Sequence, residues 1–143
     1  MQADPFGNLR DWGPVLELVC QLSDEGKLSE CQHGLTRILA YRDNWRLREE
    51  TLKRIGTIQN PSDAMIRQVL KIIADEKLYY EVRILACETM EELMKNSFGK
   101  FAAEVETAIL ETIKELLSMQ HPPIFVPALK RLYPIALETF SIV

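Results

Sequence analysis

The chain has 143 residues, 47% of them hydrophobic and 27% charged, with a formal net charge of -4. That length and apolar share suit one domain, or one short array of repeats, with a core of its own. The negative balance argues against a general nucleic-acid binder, and no apolar run approaches the roughly 18 residues of a membrane span.

Met1-Gln2-Ala3-Asp4-Pro5 lacks the basic and apolar regions of a signal peptide. Cys20, Cys31 and Cys87 are odd in number and sit in helical patterns, as buried reduced thiols of a cytoplasmic protein would. The starting methionine fits a whole protein better than an excised domain. Residues 1–10 carry no periodicity and are expected to be a loose lead-in to a single domain at 11–143.

Seven helices follow in chain order. Asp11 is the expected cap of the first, Pro14 lies in its first turn, and Gly26 stops it; Val15, Leu16, Leu18, Val19 and Leu22 form its stripe. Ser29-x-x-Gln32 has the form of a capping box for a second helix that buries Cys31, Leu35, Ile38 and Leu39. Asp43 or Asn44 caps a third, with Trp45, Leu47, Thr51, Leu52 and Ile55 inward. Asn60 caps a fourth, which Pro61 opens and which buries Ile66, Val69, Leu70 and Ile73 up to Ala74.

The fifth helix, Tyr80–Met94, buries Val82, Ala86, Met90 and Leu93, and residues 96–99 end it. The sixth, from Phe101 to Met119, turns Val105, Ile109, Ile113 and Leu116 inward before His121-Pro122-Pro123 breaks it. The seventh starts near Ile124 and uses Phe125, Ala128, Leu129, Leu132 and Ala136. Pro127 fits its first turn, but Pro134 predicts a kink or break, with the Lys130 carbonyl left without its donor. No stretch alternates with period two for long enough to make a strand, so the expected class is all-α.

Leu47-Arg48-x-x-Thr51-Leu52-x-x-Ile55 and Val82-Arg83-x-x-Ala86-Cys87-x-x-Met90 stand 35 residues apart and agree in character at every position. A weaker third copy, Ile124-Phe125-x-x-Ala128-Leu129-x-x-Leu132, lies 42 residues further on. A period of this size marks stacked helical hairpins. The pattern resembles the HEAT repeat, whose unit is two antiparallel helices with Val-Arg-x-x-Ala in the second. The resemblance covers residues 28–140, with the helix at 14–22 as a cap. It implies a right-handed α-solenoid of about three hairpins, with a concave surface lined by the second helices at 44–57, 80–94 and 124–140. It also implies an aspartate–arginine ladder in which Asp43 is a candidate and which Phe125, standing in the arginine position, ends.

No catalytic motif stands out. Cys31-x-His33 is half of a zinc spacing, and Cys20, Cys87 and His121 offer no pair to complete it, so no metal or cofactor is implied. No glycine-rich turn presents Cys31 or Cys87 as a nucleophile. Arg42, Arg46, Arg48, Lys53 and Arg54 are interleaved with acids and lack an aromatic series for base stacking, so nucleic acid is not the expected partner. Arg48 is expected to point inward to a carboxylate. Trp12 and Trp45 are expected to pack over helix junctions.

Glu81, Glu88, Glu91 and Glu92 fall opposite the apolar stripe of the fifth helix. Ile84 and Leu85 edge that polar face, either as exposed anchors or packed on the next repeat. The expected function is non-enzymatic protein–protein binding, as an adaptor or scaffold. The expected contact residues are Arg46, Glu49, Lys53, Glu81, Ile84, Leu85, Glu88, Glu92 and Lys130. Three readings compete: a HEAT-like enzyme or enzyme subunit acting on a bound cofactor; a self-associating structural protein that stacks through Phe140 and Ile142; and a helical bundle around a small apolar ligand.

Overall fold

A computed structural model describes residues 4–97 and 101–140. Among the described residues the chain is all-α. It comprises α1 (Trp12–Asp24), a 3-10 turn (Leu28–Cys31), α2 (Gln32–Ala40), α3 (Trp45–Ile55), α4 (Asp63–Ala74), α5 (Tyr80–Asn96), α6 (Ala103–Leu117) and α7 (Val126–Phe140). None of these helices is long and apolar enough to cross a membrane. Ile142, to which the sequence assigns a stacking role, and Gly99, to which it assigns a helix-ending one, lie outside the described residues.

The helices alternate between two rows. α1, α3, α5 and α7 touch in that order; α2 touches α4, and α4 touches α6. Across the rows α2 packs on α3, α4 on α5 and α6 on α7. The core runs between the rows and takes one stripe from each helix, such as Leu47, Leu52 and Ile55 from α3 and Val105, Ile109 and Ile113 from α6. α5 touches α3, α4 and α7, and it accordingly buries residues on more than one face.

Local chemistry sets the ends. α1 closes with Gly26 at φ 70°, where Gly26 N–H donates to the Ser23 carbonyl and Lys27 N–H to the Leu22 carbonyl, the paired bonds of a Schellman motif. Asn44 caps α3 by accepting from Leu47 N–H at 2.9 Å. The cap of α4 is Ser62, which accepts from Met65 N–H at 3.2 Å, not Asn60. Gln32 is buried, and its amide donates to the Ser29 and Asn60 carbonyls while its oxygen accepts from Ser62 N–H, which ties the α3–α4 link to the start of α2. α7 runs through Pro134 without a break. Pro134 and Lys130 are both exposed, so water can reach the carbonyl that loses its donor.

Two expectations are corrected by packing. The lead-in is docked from Asp4 onward. Phe6 and Leu9 are buried, the Phe6 ring lies where a Cβ on Gly34 would stand, and Asp4 accepts twice from Arg37 at 2.8 and 2.9 Å. Those bonds hold the Asp4 carboxyl below its ordinary range. Trp45 is 66% exposed, because the α3 stripe enters the core only at Leu47, and Trp12 is also exposed. Of the cysteines, Cys31 and Cys87 are buried and Cys20 is half-buried; all three are free thiols.

The two repeated arginines do the same local job. Arg48 in α3 donates to the Tyr41 carbonyl, just past the end of α2. Arg83 in α5 donates from Nε to the Ile73 carbonyl near the end of α4, at 2.8 Å. Each places a cation where a helix leaves carbonyls unbonded. Arg48 therefore points inward to a carbonyl, while the nearby carboxylate, Asp75, pairs with Arg42 at 3.5 Å. Burial and the like charge of Arg42 lower the Arg48 pKa, and Asp75 opposes them.

Arg83 is 1% exposed, and its Nη2 finds no hydrogen-bond acceptor. Its guanidinium carbon lies 4.5 Å from the Phe125 ring centroid and 5.0 Å from that of Tyr80, so two aromatic faces offset the charge. His121 completes this cluster. Its Nε2 is 2.8 Å from the Leu116 carbonyl, to which it donates, and its Nδ1 lies 3.4 Å from the Tyr80 hydroxyl.

Gly56, just past the end of α3, abuts Glu92 of α5. A Cβ there would stand 2.6 Å from Glu92 Oε2 and 3.0 Å from Glu92 Cβ. Gly56→Ala should therefore cost about 1–3 kcal/mol by crowding the Glu92 side chain against the end of α3. Gly13→Ala, where nothing lies within 4 Å, should stabilise, by about 0.4–1 kcal/mol. Urea unfolding midpoints that move in opposite directions for the two variants would bear this out; two stabilising alanines would refute the tight α3–α5 contact.

Candidate functional site

A cleft of about 550 Å³ runs between α5 and α7. Each helix supplies one stripe. α5 contributes Ile84, Cys87, Glu88, Glu91, Glu92 and Lys95; Ile124, Pro127, Ala128 and Arg131 come from the start of α7 and the residues just before it. Both follow the i, i+3, i+4, i+7 spacing that keeps side chains on one helical face. The volume falls in the range of about 300–1,000 Å³ typical of ligand-binding clefts.

The cleft is pinned beyond both ends of its apolar part. At one end Phe125 stacks on Arg83. At the other, Arg131 donates to both oxygens of Glu91, with Nε 3.0 Å from Oε2 and Nη2 3.0 Å from Oε1, and Lys95 donates to the same carboxylate at 3.0 Å. Glu91 is buried, which corrects the outer-face placement read from the sequence; the flank it occupies is covered by α7. Burial works to raise its pKa, but the bonds from Arg131 and Lys95 prevail, and the carboxyl sits below its ordinary range.

Between these pins the lining changes character. Ile84, Ile124, Pro127 and Ala128 are apolar, and Cys87 is buried beside them. Burial pushes the Cys87 thiol up to about 12, so at neutral pH it is a protonated, apolar lining group and a poor nucleophile. Glu88 and Glu92 are exposed, one turn apart on α5, and neither has an ion-pair partner among the described residues. The site therefore offers an apolar trough beside two exposed carboxylates, one of which, Glu88, feels the charge of Arg131. Among the described residues no three His, Cys, Asp or Glu side chains are grouped so as to hold a metal.

Of the contact residues expected from sequence, the cleft gathers Ile84, Glu88 and Glu92. Leu85 is half-buried against the core, and its carbonyl accepts from Thr89. Arg46, Glu49, Lys53, Glu81 and Lys130 do not line it. Lys53 pairs with Glu50, and Arg54 reaches Glu50 and Asp24, so much of the basic density of α3 is met locally. On α7 the residues facing the cleft are Pro127, Ala128 and Arg131 in place of Lys130. The available signal was the i, i+3, i+4, i+7 run at 124, 127, 128 and 131, disguised because its first members sit among prolines.

No family model, curated protein or solved structure matches the chain.

The Glu91 bridge carries a pH signature. A carboxyl whose folded pKa is depressed stabilises fully above its unfolded value, about 4.3, and loses that contribution as pH falls through the folded value. Wild-type stability should therefore fall more steeply than that of Glu91→Gln below pH about 4.3, with a constant gap between them at neutral pH. Parallel acid limbs in chemical denaturation across this range would show that the bridge does not form in solution.

Proposed function

We propose that this chain is a short α-solenoid of about three HEAT-like hairpins behind the capping helix α1. In this reading it is a non-enzymatic binding module that holds a partner protein in the α5–α7 cleft. The repeated Arg48 and Arg83, each meeting the end of the preceding helix, support the hairpin reading. The alternation of helices between two rows supports it as well.

The binding reading rests on one observation: two parallel stripes leave apolar side chains and unpaired charges facing the same open space. Pinning from both ends keeps that space open without a partner, so little ordering cost falls on binding. The inert thiol and the consumed Glu91 favour recognition over catalysis at this site.

The test is affinity capture with the purified protein as bait. Ile124 and Pro127 are exposed cleft residues, so Ile124→Ser/Pro127→Ser should fold normally. It should lose a captured partner by about fivefold or more, the scale set by removing an apolar anchor worth over 1 kcal/mol. Glu111→Ser, on the exposed side of α6, should retain it. Equal capture by the cleft variant and the wild type would place binding elsewhere and remove the cleft from the model.

A further inference from the structure

We infer that the occupant of the α5–α7 cleft is a basic amphipathic helix, with apolar side chains in the trough and lysine or arginine side chains set on Glu88 and Glu92. This rests on the reading of the cleft as a protein-docking site and narrows it to one class of partner.

Charge complementarity carries the inference. Three carboxylates line the cleft against two cations, Lys95 and Arg131, whose hydrogen bonds both go to Glu91 while Arg131 also feels the charge of Glu88, so the lining is left one charge negative. Glu88 and Glu92 remain, exposed and one turn apart on the same face of α5. Like charges at this spacing destabilise a helix, and a bound cation relieves that repulsion. An anionic ligand would add to it. The formal charge of -4 on the whole chain draws a cationic segment in at long range.

The shape selects a helix among basic segments. The α5 stripe from Ile84 to Lys95 spans twelve residues, eleven rises of about 1.5 Å or about 16 Å, which is about three turns. Its apolar members meet those of α7 along a trough open on one side, the geometry in which an amphipathic helix lays its i, i+3, i+4, i+7 face. Cations one turn apart on that helix match the spacing of Glu88 and Glu92. An extended segment has no sheet edge to join here, since the described residues contain no strand.

The probes are a fluorescein-labelled leucine–lysine amphipathic peptide and a twin with glutamate at every lysine, titrated by anisotropy at low and physiological salt. The lysine peptide should bind the wild type and weaken with salt, and the glutamate twin should not bind. Glu88→Gln/Glu92→Gln should weaken the lysine peptide about tenfold or more, as losing a close interfacial charge contact does. Glu104→Gln/Glu111→Gln carries the same change of net charge on α6 and should leave the affinity unchanged, which separates the cleft from bulk attraction. Equal affinity for the two peptides, equal weakening by both charge variants, or no binding of the lysine peptide would overturn the inference. If capture of a partner depends on Ile124 and Pro127 while neither peptide discriminates, the docking site stands and its basic-helix occupant falls. If capture is indifferent to Ile124 and Pro127, the docking site itself falls.

Discussion

The arrangement depends on polar groups of α5 that have left water and must be answered by a neighbour. A buried donor or charge without a partner costs more than most single packing defects. Arg83 meets that demand at the Ile73 carbonyl of α4, Thr89 at the Leu52 carbonyl of α3, and Glu91 at Arg131 of α7. Asn96 adds a bond to the Gly56 carbonyl at the end of α3. Apolar stripes can slide by a turn at modest cost. Three buried polar groups on one helix, each with a partner on a different neighbour, admit one register. α5 thus fixes where α3, α4 and α7 sit.

The cleft is a by-product of that fixation. Where α5 and α7 are joined, at the Arg83–Phe125 stack and the Glu91–Arg131 bridge, they are held by contacts with strict geometry. Between those contacts small or slender groups face one another, Cys87 from α5 and Pro127 and Ala128 from α7, and they cannot fill the gap. The trough lies between those contacts, with the exposed Glu88 and Glu92 along its rim.

The same physics accounts for Arg48 and Arg83. Each donates to a carbonyl at or just past the end of the preceding helix, where a helix leaves acceptors without an internal donor. The Phe125 ring lies over the guanidinium of Arg83 and adds a cation–π contact to it.

Much of the fold is legible in the chain because helix formation is local. The 3.6-residue period exposes seven helices and most of their buried stripes, Asn44 announces its cap, and Gly26 announces a stop. Docked segments without periodicity, such as that around Phe6 and Leu9, leave no such trace. Nor does a position's depth along the stack: Trp45 has the composition of a core residue and stands outside it. The site was half legible. Ile84, Glu88 and Glu92 follow from the polar flank of α5, whereas Arg131, Lys95 and the apolar residues at the start of α7 do not. What the sequence by itself determined is the set of helices and the chemistry each could bury or expose. Only the tertiary structure decided which flanks meet, because the pairing of Glu91 with Arg131 and of Arg83 with Phe125 joins residues some forty positions apart, and no local period records it.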